Sequence, residues 1–178
     1  IDETEQYNGS TWSEVNDLNT ARSGMGGAGT QTAGLGFGGH TDAPQALSEE
    51  FDGTNWAEGD DLNQARYFLA GAGTQTAGLG FGGYTPSAYS ADSEEYNGTS
   101  WAEGDNLNTA RNELAGCGTQ TAGLAFGGAA PAASAASESY NGTSWTEGND
   151  LNSGRKTLTG FGIQVNAIAA GGGRPGGA

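Results

Sequence analysis

The chain has 178 residues, 34 of them glycine, and 21 acidic side chains against 6 Lys plus Arg give it a formal net charge of −15. So acidic a surface excludes a nucleic-acid binder, whose phosphate contacts need Lys and Arg, and works against anionic membranes. One cysteine, Cys117, leaves no internal disulfide, and no apolar run reaches the roughly 18 residues of a spanning helix, so membrane insertion is not expected.

The opening "IDETEQYNGS" has neither an initiator Met nor a signal-like start, as expected of a processed end or an excerpt of a longer chain. Its continuation "EQYNGSTWSEV", from Glu5, returns as "EEFDGTNWAEG" from Glu49, "EEYNGTSWAEG" from Glu94 and "ESYNGTSWTEG" from Glu138. Trp12, Trp56, Trp101 and Trp145 are spaced by 44, 45 and 44 residues, and Arg22, Arg66, Arg111 and Arg155 keep the same intervals. A unit of about 44 residues copied along one chain falls in the range of propeller blades.

Within the second unit four short strands are expected in turn. "LAGAG" (69–73) and "TAGLGF" (76–81) flank a polar turn, and "SEEF" (48–51) and "TNWAE" (54–58) flank Asp52-Gly53. Asn-Gly and Asp-Gly are strong hairpin signals because a type I′ turn needs positive φ at both central residues. Asn8, Asn97 and Asn141 also fit the N-x-[ST] glycosylation acceptor, but Asp52 loses that acceptor while keeping the bend. The shared property is therefore the turn. Cys117 corresponds to Ala28, Ala72 and Phe161, so it fills an apolar slot.

A lone sheet of this kind cannot bury both faces, so neighbouring units must cover it. The expected fold is all-β: a single propeller domain over 1–178, with four blades of four antiparallel strands. Its units run approximately 22–58, 66–103, 111–147, and 1–15 together with 155–178. The chain opens with the last two strands of a blade and finishes with the first two, so the two ends are expected to share one blade. Linker lengths agree: 9, 10 and 9 residues separate the paired glycines from the next Glu, and the tail 173–178 with the lead 1–4 supplies ten.

Charged residues recur with the period. Glu5, Glu49, Glu94 and Glu138 precede the hairpin aromatic by two, and one Arg accompanies each unit, so Arg22, Arg66, Arg111 and Arg155 are expected to make structural Arg–Glu contacts with that series. The rival arrangement rings four carboxylates around a central channel to hold a cation; otherwise no metal or cofactor is expected. The "GTQT" and "NGT" turns belong on one face by strand order. The opposite face carries the segments that differ between units, 40–48, 84–93 and 129–137. There His40, Asp42, Gln45, Tyr84 and Tyr89 are the candidate ligand-binding side chains. His40 is expected as a solvated loop residue.

The paired glycines Gly38-Gly39, Gly82-Gly83, Gly127-Gly128 and Gly171-Gly172, followed by Tyr (or Phe), Trp and Arg, resemble kelch-type propeller repeats across nearly the whole chain. Aromatic and Trp stand only five positions apart, a tighter hairpin than that family usually shows. The wording "YNGTSW…LN-x-A-R…GAGTQTAGL-x-FGG" is similar to repeats of virion- or tail-associated proteins predicted in aquatic phages. Both resemblances imply recognition or assembly in an extracellular or virion setting. Oxidase-type copper chemistry on a kelch scaffold would need two histidines and a Tyr–Cys pair, and His40 is the only histidine. The expected function is a non-enzymatic display or assembly module with protein partners or self-assembly. The alternative is a lectin-like propeller that binds surface glycan, and a glycan-active hydrolase is disfavoured because no close acidic pair stands out.

Overall fold

The structure, a computed structural model, describes residues 2–174. Three four-stranded antiparallel sheets follow one another. The first contains β3 (Gly26–Thr30), β4 (Ala33–Phe37), β5 (Ser48–Phe51) and β6 (Trp56–Glu58). The second contains β7 (Ala70–Thr74), β8 (Ala77–Phe81), β9 (Ser93–Tyr96) and β10 (Trp101–Glu103), and the third β11 (Ala115–Thr119), β12 (Ala122–Phe126), β13 (Ser137–Tyr140) and β14 (Trp145–Glu147). Two hairpins flank them: β1 (Glu5–Tyr7) with β2 (Trp12–Glu14), and β15 (Thr159–Ile163) with β16 (Asn166–Ala170). The described residues contain no helix, and so none long and apolar enough to cross a membrane.

The Asp-Gly and Asn-Gly bends form four-residue loops rather than two-residue type I′ turns. Phe51 faces Trp56 across the strand pair, and only Gly53 takes positive φ, at 97°. The cause is the acidic side chain: Asp52 Oδ1 accepts the amides of Thr54 (2.8 Å) and Asn55 (2.7 Å), an Asx turn that leaves only glycine in the left-handed region. Asn97 Oδ1 takes the amides of Thr99 and Ser100 in the same way, which explains why Asn and Asp exchange freely here.

Glycine in the first strand of each sheet sets the spacing between sheets. A Cβ on Gly71 of β7 would lie 2.4 Å from Gly27 O of β3, so the backbones touch where a side chain would stand. A Cβ on Gly116 would strike Phe81 at 2.3 Å. The core is accordingly thin, made of Leu, Phe and Trp wedged between sheets. Trp101 stacks both on Tyr96 of its own sheet (5.0 Å) and on Phe37 of the preceding one (4.9 Å), and Trp145 does the same with Tyr140 and Phe81. Cys117 is buried with Ala115 and Phe126, and burial pushes its thiol pKa up, against reactivity.

The repeated glutamine of "GTQT" fastens one unit to the previous one. Gln75 Nε2 donates to Gly34 O (3.1 Å) and Phe51 O (2.8 Å), Gln120 to Gly78 O and Tyr96 O, and Gln164 to Gly123 O and Tyr140 O. A second inter-unit ladder runs along the backbone: Phe68 N donates to Gly24 O, Glu113 N to Phe68 O and Thr157 N to Glu113 O. Phe68, Glu113 and Thr157 take positive φ of 53–55° to make it.

The shared terminal blade is not built. β1 pairs with β2 and β16 with β15, so the two end hairpins remain separate two-stranded sheets among the described residues. Each is already committed to its own neighbour. Trp56 Nε1 donates to Thr4 Oγ1 (3.0 Å) and Gln6 Nε2 to Gly53 O (3.1 Å) on one side, while Gln164 holds β15–β16 to the third sheet on the other. Most of the tail 173–178, and Ile1 of the lead, lie outside the described residues.

Candidate functional site

Two sets of side chains recur or vary with the repeat, and the structure places them apart. The recurring set lies inside the sheets. Arg22 donates to Glu49 Oε1 at 2.9 Å, Arg66 to Glu94 Oε1 at 2.9 Å, and Arg111 to Glu138 Oε1. All six are buried. Each arginine also reaches the ends of its own connection between second and third strands or its nearby backbone; Arg22, for one, donates to Gly38 O and Leu47 O. The other carboxylate oxygen takes both the backbone and side-chain amides of an asparagine: Asn19 on Glu49, Asn63 on Glu94 and Asn108 on Glu138. Burial pulls the Arg66 guanidinium below its ordinary pKa, with the Glu94 charge opposing. The glutamates stand on the third strands β5, β9 and β13, between the second and fourth strands of their own sheets.

The end members of that series differ. Arg155 donates only to Gly171 O (3.2 Å) and Ala169 O (3.3 Å), and Glu5 is exposed; neither has an oppositely charged partner among the described residues.

The "GTQT" and "NGT" turns share one face, with Gly53 against Thr32, Gly98 against Thr76 and Gly142 against Thr121. Asn8, Asn97 and Asn141 are exposed there. The varying residues gather on the opposite face. His40 bridges Ser23, Tyr84 bridges Tyr67, and Ala129 bridges Asn112. His40 is not a solvated loop residue: it is half-buried and stacks on Tyr67 with ring centroids 4.8 Å apart. Tyr67 in turn meets Phe68 (4.8 Å) and Tyr84 (5.8 Å), and Tyr84 meets Tyr89 edge-on at 5.1 Å. Five rings from two units thus form one surface cluster.

Gln45 does not join it. Its amide is held within its own loop by Thr41 Oγ1 and Ala43 O, both at 2.9 Å. Asp42 is exposed beyond the cluster. Tyr67 and Phe68 were not singled out by the sequence reading, although both sit at positions that vary between units: Ser23, Tyr67, Asn112, Lys156 and Gly24, Phe68, Glu113, Thr157. That variation beside a constant Arg was the available signal.

Phe68 also edges a cavity of about 360 Å³ between the units, lined by Gly24, Glu113, Thr157 and Gly172 among others. Its one carboxylate, Glu113, is taken by Lys156 Nζ (3.2 Å) and Thr157 Oγ1 (2.6 Å). Among the described residues no three His, Cys, Asp or Glu side chains converge to hold a metal. No protein-family model matches the chain, and no curated protein gives a match.

Proposed function

We propose that the chain is a non-enzymatic, propeller-type recognition and assembly module, acting in a virion or extracellular setting. The sheets serve as blades of one scaffold, with β3, β7, β11 and β15 nearest the axis, in keeping with the resemblance to kelch-type repeats. The observation that carries this reading is the ring cluster of His40, Tyr67, Phe68, Tyr84 and Tyr89. It is assembled from positions that differ between otherwise repeated units, on loops held by a rigid frame. In the three central sheets the recurring Arg, Glu and Asn bind one another, which leaves the varying rings as the candidates for recognition.

Aromatic rings with hydroxyl groups suit either a protein surface or the apolar face of a sugar ring. The cluster favours surface glycan as the second reading. A glycan screen on the intact chain separates the two. Saturable binding that is lost in Tyr67→Ala and Tyr84→Ala, at unchanged thermal stability, establishes the sugar reading. A partner protein captured through the same two tyrosines establishes the protein one. Binding that survives both substitutions, or glycan turnover above background, overturns the proposal.

A further inference from the structure

We propose that the asparagines of the three Asn-Gly bends, Asn8, Asn97 and Asn141, are self-modifying sites, which the folded chain converts to aspartate with water as the only co-reactant. These bends lie on the face opposite the ring cluster, and the conversion is independent of what that cluster binds.

The reaction needs a backbone amide that can reach the side-chain carbonyl of the asparagine before it. Glycine, with no side chain of its own, leaves that amide unshielded. Gly98 takes φ of 89° and Gly142 of 87°. Among the described residues neither amide donates a hydrogen bond, so no acceptor has to be given up before the nitrogen reacts. Asn8, Asn97 and Asn141 are exposed, so water reaches all three bends.

The carbonyl is also prepared. Asn97 Oδ1 accepts the amides of Thr99 at 2.9 Å and Ser100 at 3.0 Å. Asn141 Oδ1 accepts those of Thr143 (2.9 Å) and Ser144 (2.8 Å), and Asn8 Oδ1 those of Ser10 (2.9 Å) and Thr11 (3.0 Å). When a nitrogen adds to Cγ this oxygen takes up the negative charge, and two backbone donors already point at it.

Atoms and electrons balance with water alone. The Gly98 nitrogen gives its proton to water and bonds to Asn97 Cγ; the Cγ–Nδ2 bond breaks, and Nδ2 leaves as ammonia. The cyclic imide so formed joins the glycine nitrogen to both carbonyl carbons of residue 97. Water then opens it. Cleavage at Cγ gives aspartate, whereas cleavage at the main-chain carbonyl carbon gives isoaspartate, with an extra methylene in the backbone.

The first complete sheet already displays the aspartate product. Asp52-Gly53 occupies the equivalent bend, Asp52 Oδ1 takes the amides of Thr54 (2.8 Å) and Asn55 (2.7 Å), and Gly53 keeps φ of 97°. A carboxylate therefore fits this loop. Isoaspartate does not, because its extra main-chain atom falls between Tyr96 and Trp101, which face each other across the strand pair and stack at 5.0 Å. Isoaspartate can close to the imide again, so the folded chain drains toward aspartate. Each conversion adds one negative charge to the turn face and removes one N-x-[ST] acceptor. Asn63 and Asn108 are protected: their side-chain amides are spent on buried Glu94 and Glu138, and the residues that follow, Gln64 and Thr109, carry side chains.

Mass spectrometry tests this on the intact chain, held folded in mildly alkaline buffer beside a sample in urea. The folded sample gains the mass difference between OH and NH2, and peptide maps place the gains at positions 8, 97 and 141. Aspartate exceeds isoaspartate there, circular dichroism is unchanged, and Asn63 and Asn108 stay intact; in urea isoaspartate is in excess. Asn97→Gln, which would have to close a larger ring, slows conversion at 97 by about tenfold or more, with positions 8 and 141 of the same chain as references. Asn97→Asp keeps the wild-type melting temperature. A folded chain that stays inert while the urea sample converts overturns the proposal. So does isoaspartate in excess in the folded sample, conversion of Asn63 as fast as Asn97, or a lowered melting temperature in Asn97→Asp.

Discussion

The third sheet and the terminal hairpins are written in nearly the same words, yet they live in different surroundings. Trp145 is 5 % exposed and Trp12 is 65 % exposed, although "YNGTSWTE" and "YNGSTWSE" differ little. Arg111 is sealed onto Glu138 while Arg155 finds only carbonyls. Burial here belongs to the neighbour, not to the residue. A repeat unit carries half of each contact, and whatever stands next to it decides whether that half is used.

The comparison breaks most visibly at the ion pairs. Arg66→Ala leaves Glu94 buried with only Asn63 as partner, and should cost about 3–5 kcal/mol in chemical denaturation. Arg155→Ala removes no ion pair among the described residues and should change stability by under about 1 kcal/mol. Equal losses at the two sites would mean that the end unit is completed within its own chain. The tryptophans sharpen the same contrast. Trp145→Ala should cost about 3–5 kcal/mol at any protein concentration. Trp12→Ala should cost under about 1 kcal/mol, because Trp12 is exposed and its ring packs on Tyr7 alone, with centroids 5.3 Å apart.

Much of this was legible in the sequence. The period, the four strands per unit, the turn face and the varied face all follow from spacing and from glycine and asparagine chemistry. The turn type did not, because a two-residue I′ bend and an Asx-closed loop share the dipeptide Asp-Gly; the difference lies in whether Asp52 spends its carboxylate on the backbone. Gln75 and Gln120 read as turn residues since their acceptors are backbone carbonyls far upstream, and a carbonyl leaves no mark on the sequence. Asn63 and Asn108 were missed for a related reason: their partner is the glutamate of an ion pair that already looked complete. Whether the two end hairpins pair depends on how successive sheets sit against one another, and the described residues leave them as separate sheets. Linker length, which the sequence does show, only permits closure. Of the varied-face cluster, three rings were foreseen, whereas Tyr67 and Phe68 were hidden by lying next to a structural arginine.

A smaller effect distinguishes the glutamine fasteners. Gln120→Ala deletes two hydrogen bonds to the preceding unit and should cost about 1–2 kcal/mol. Among the described residues Gln31 has a single such acceptor, Tyr7 O, with no strand placed to offer the other; Gln31→Ala should cost about half as much. Equal costs would show that the second acceptor adds nothing, and that the end hairpin is held as firmly as an inner sheet.

The finest difference is one of proton binding. Burial, and then a hydrogen bond to the carboxylate of the preceding unit, holds the phenols of Tyr96 (on Glu50, 2.5 Å) and Tyr140 (on Glu95, 2.6 Å) well above their ordinary pKa of 10.0. Because the folded value is the higher one, the stabilisation is complete below pH 10 and drains away as pH rises from there toward the folded pKa. Alkaline unfolding should therefore steepen above pH 10, and the tyrosinate band of these two residues among the six should appear only with that unfolding. Tyr140→Phe removes one late-ionising phenol and should flatten the alkaline limb while leaving Glu95 without a donor at neutral pH. A titration in which all six phenols ionise together before the protein unfolds would mean that Tyr96 and Tyr140 reach solvent, and that the sheets are not packed as closely as the glycine contacts of β7 and β11 require.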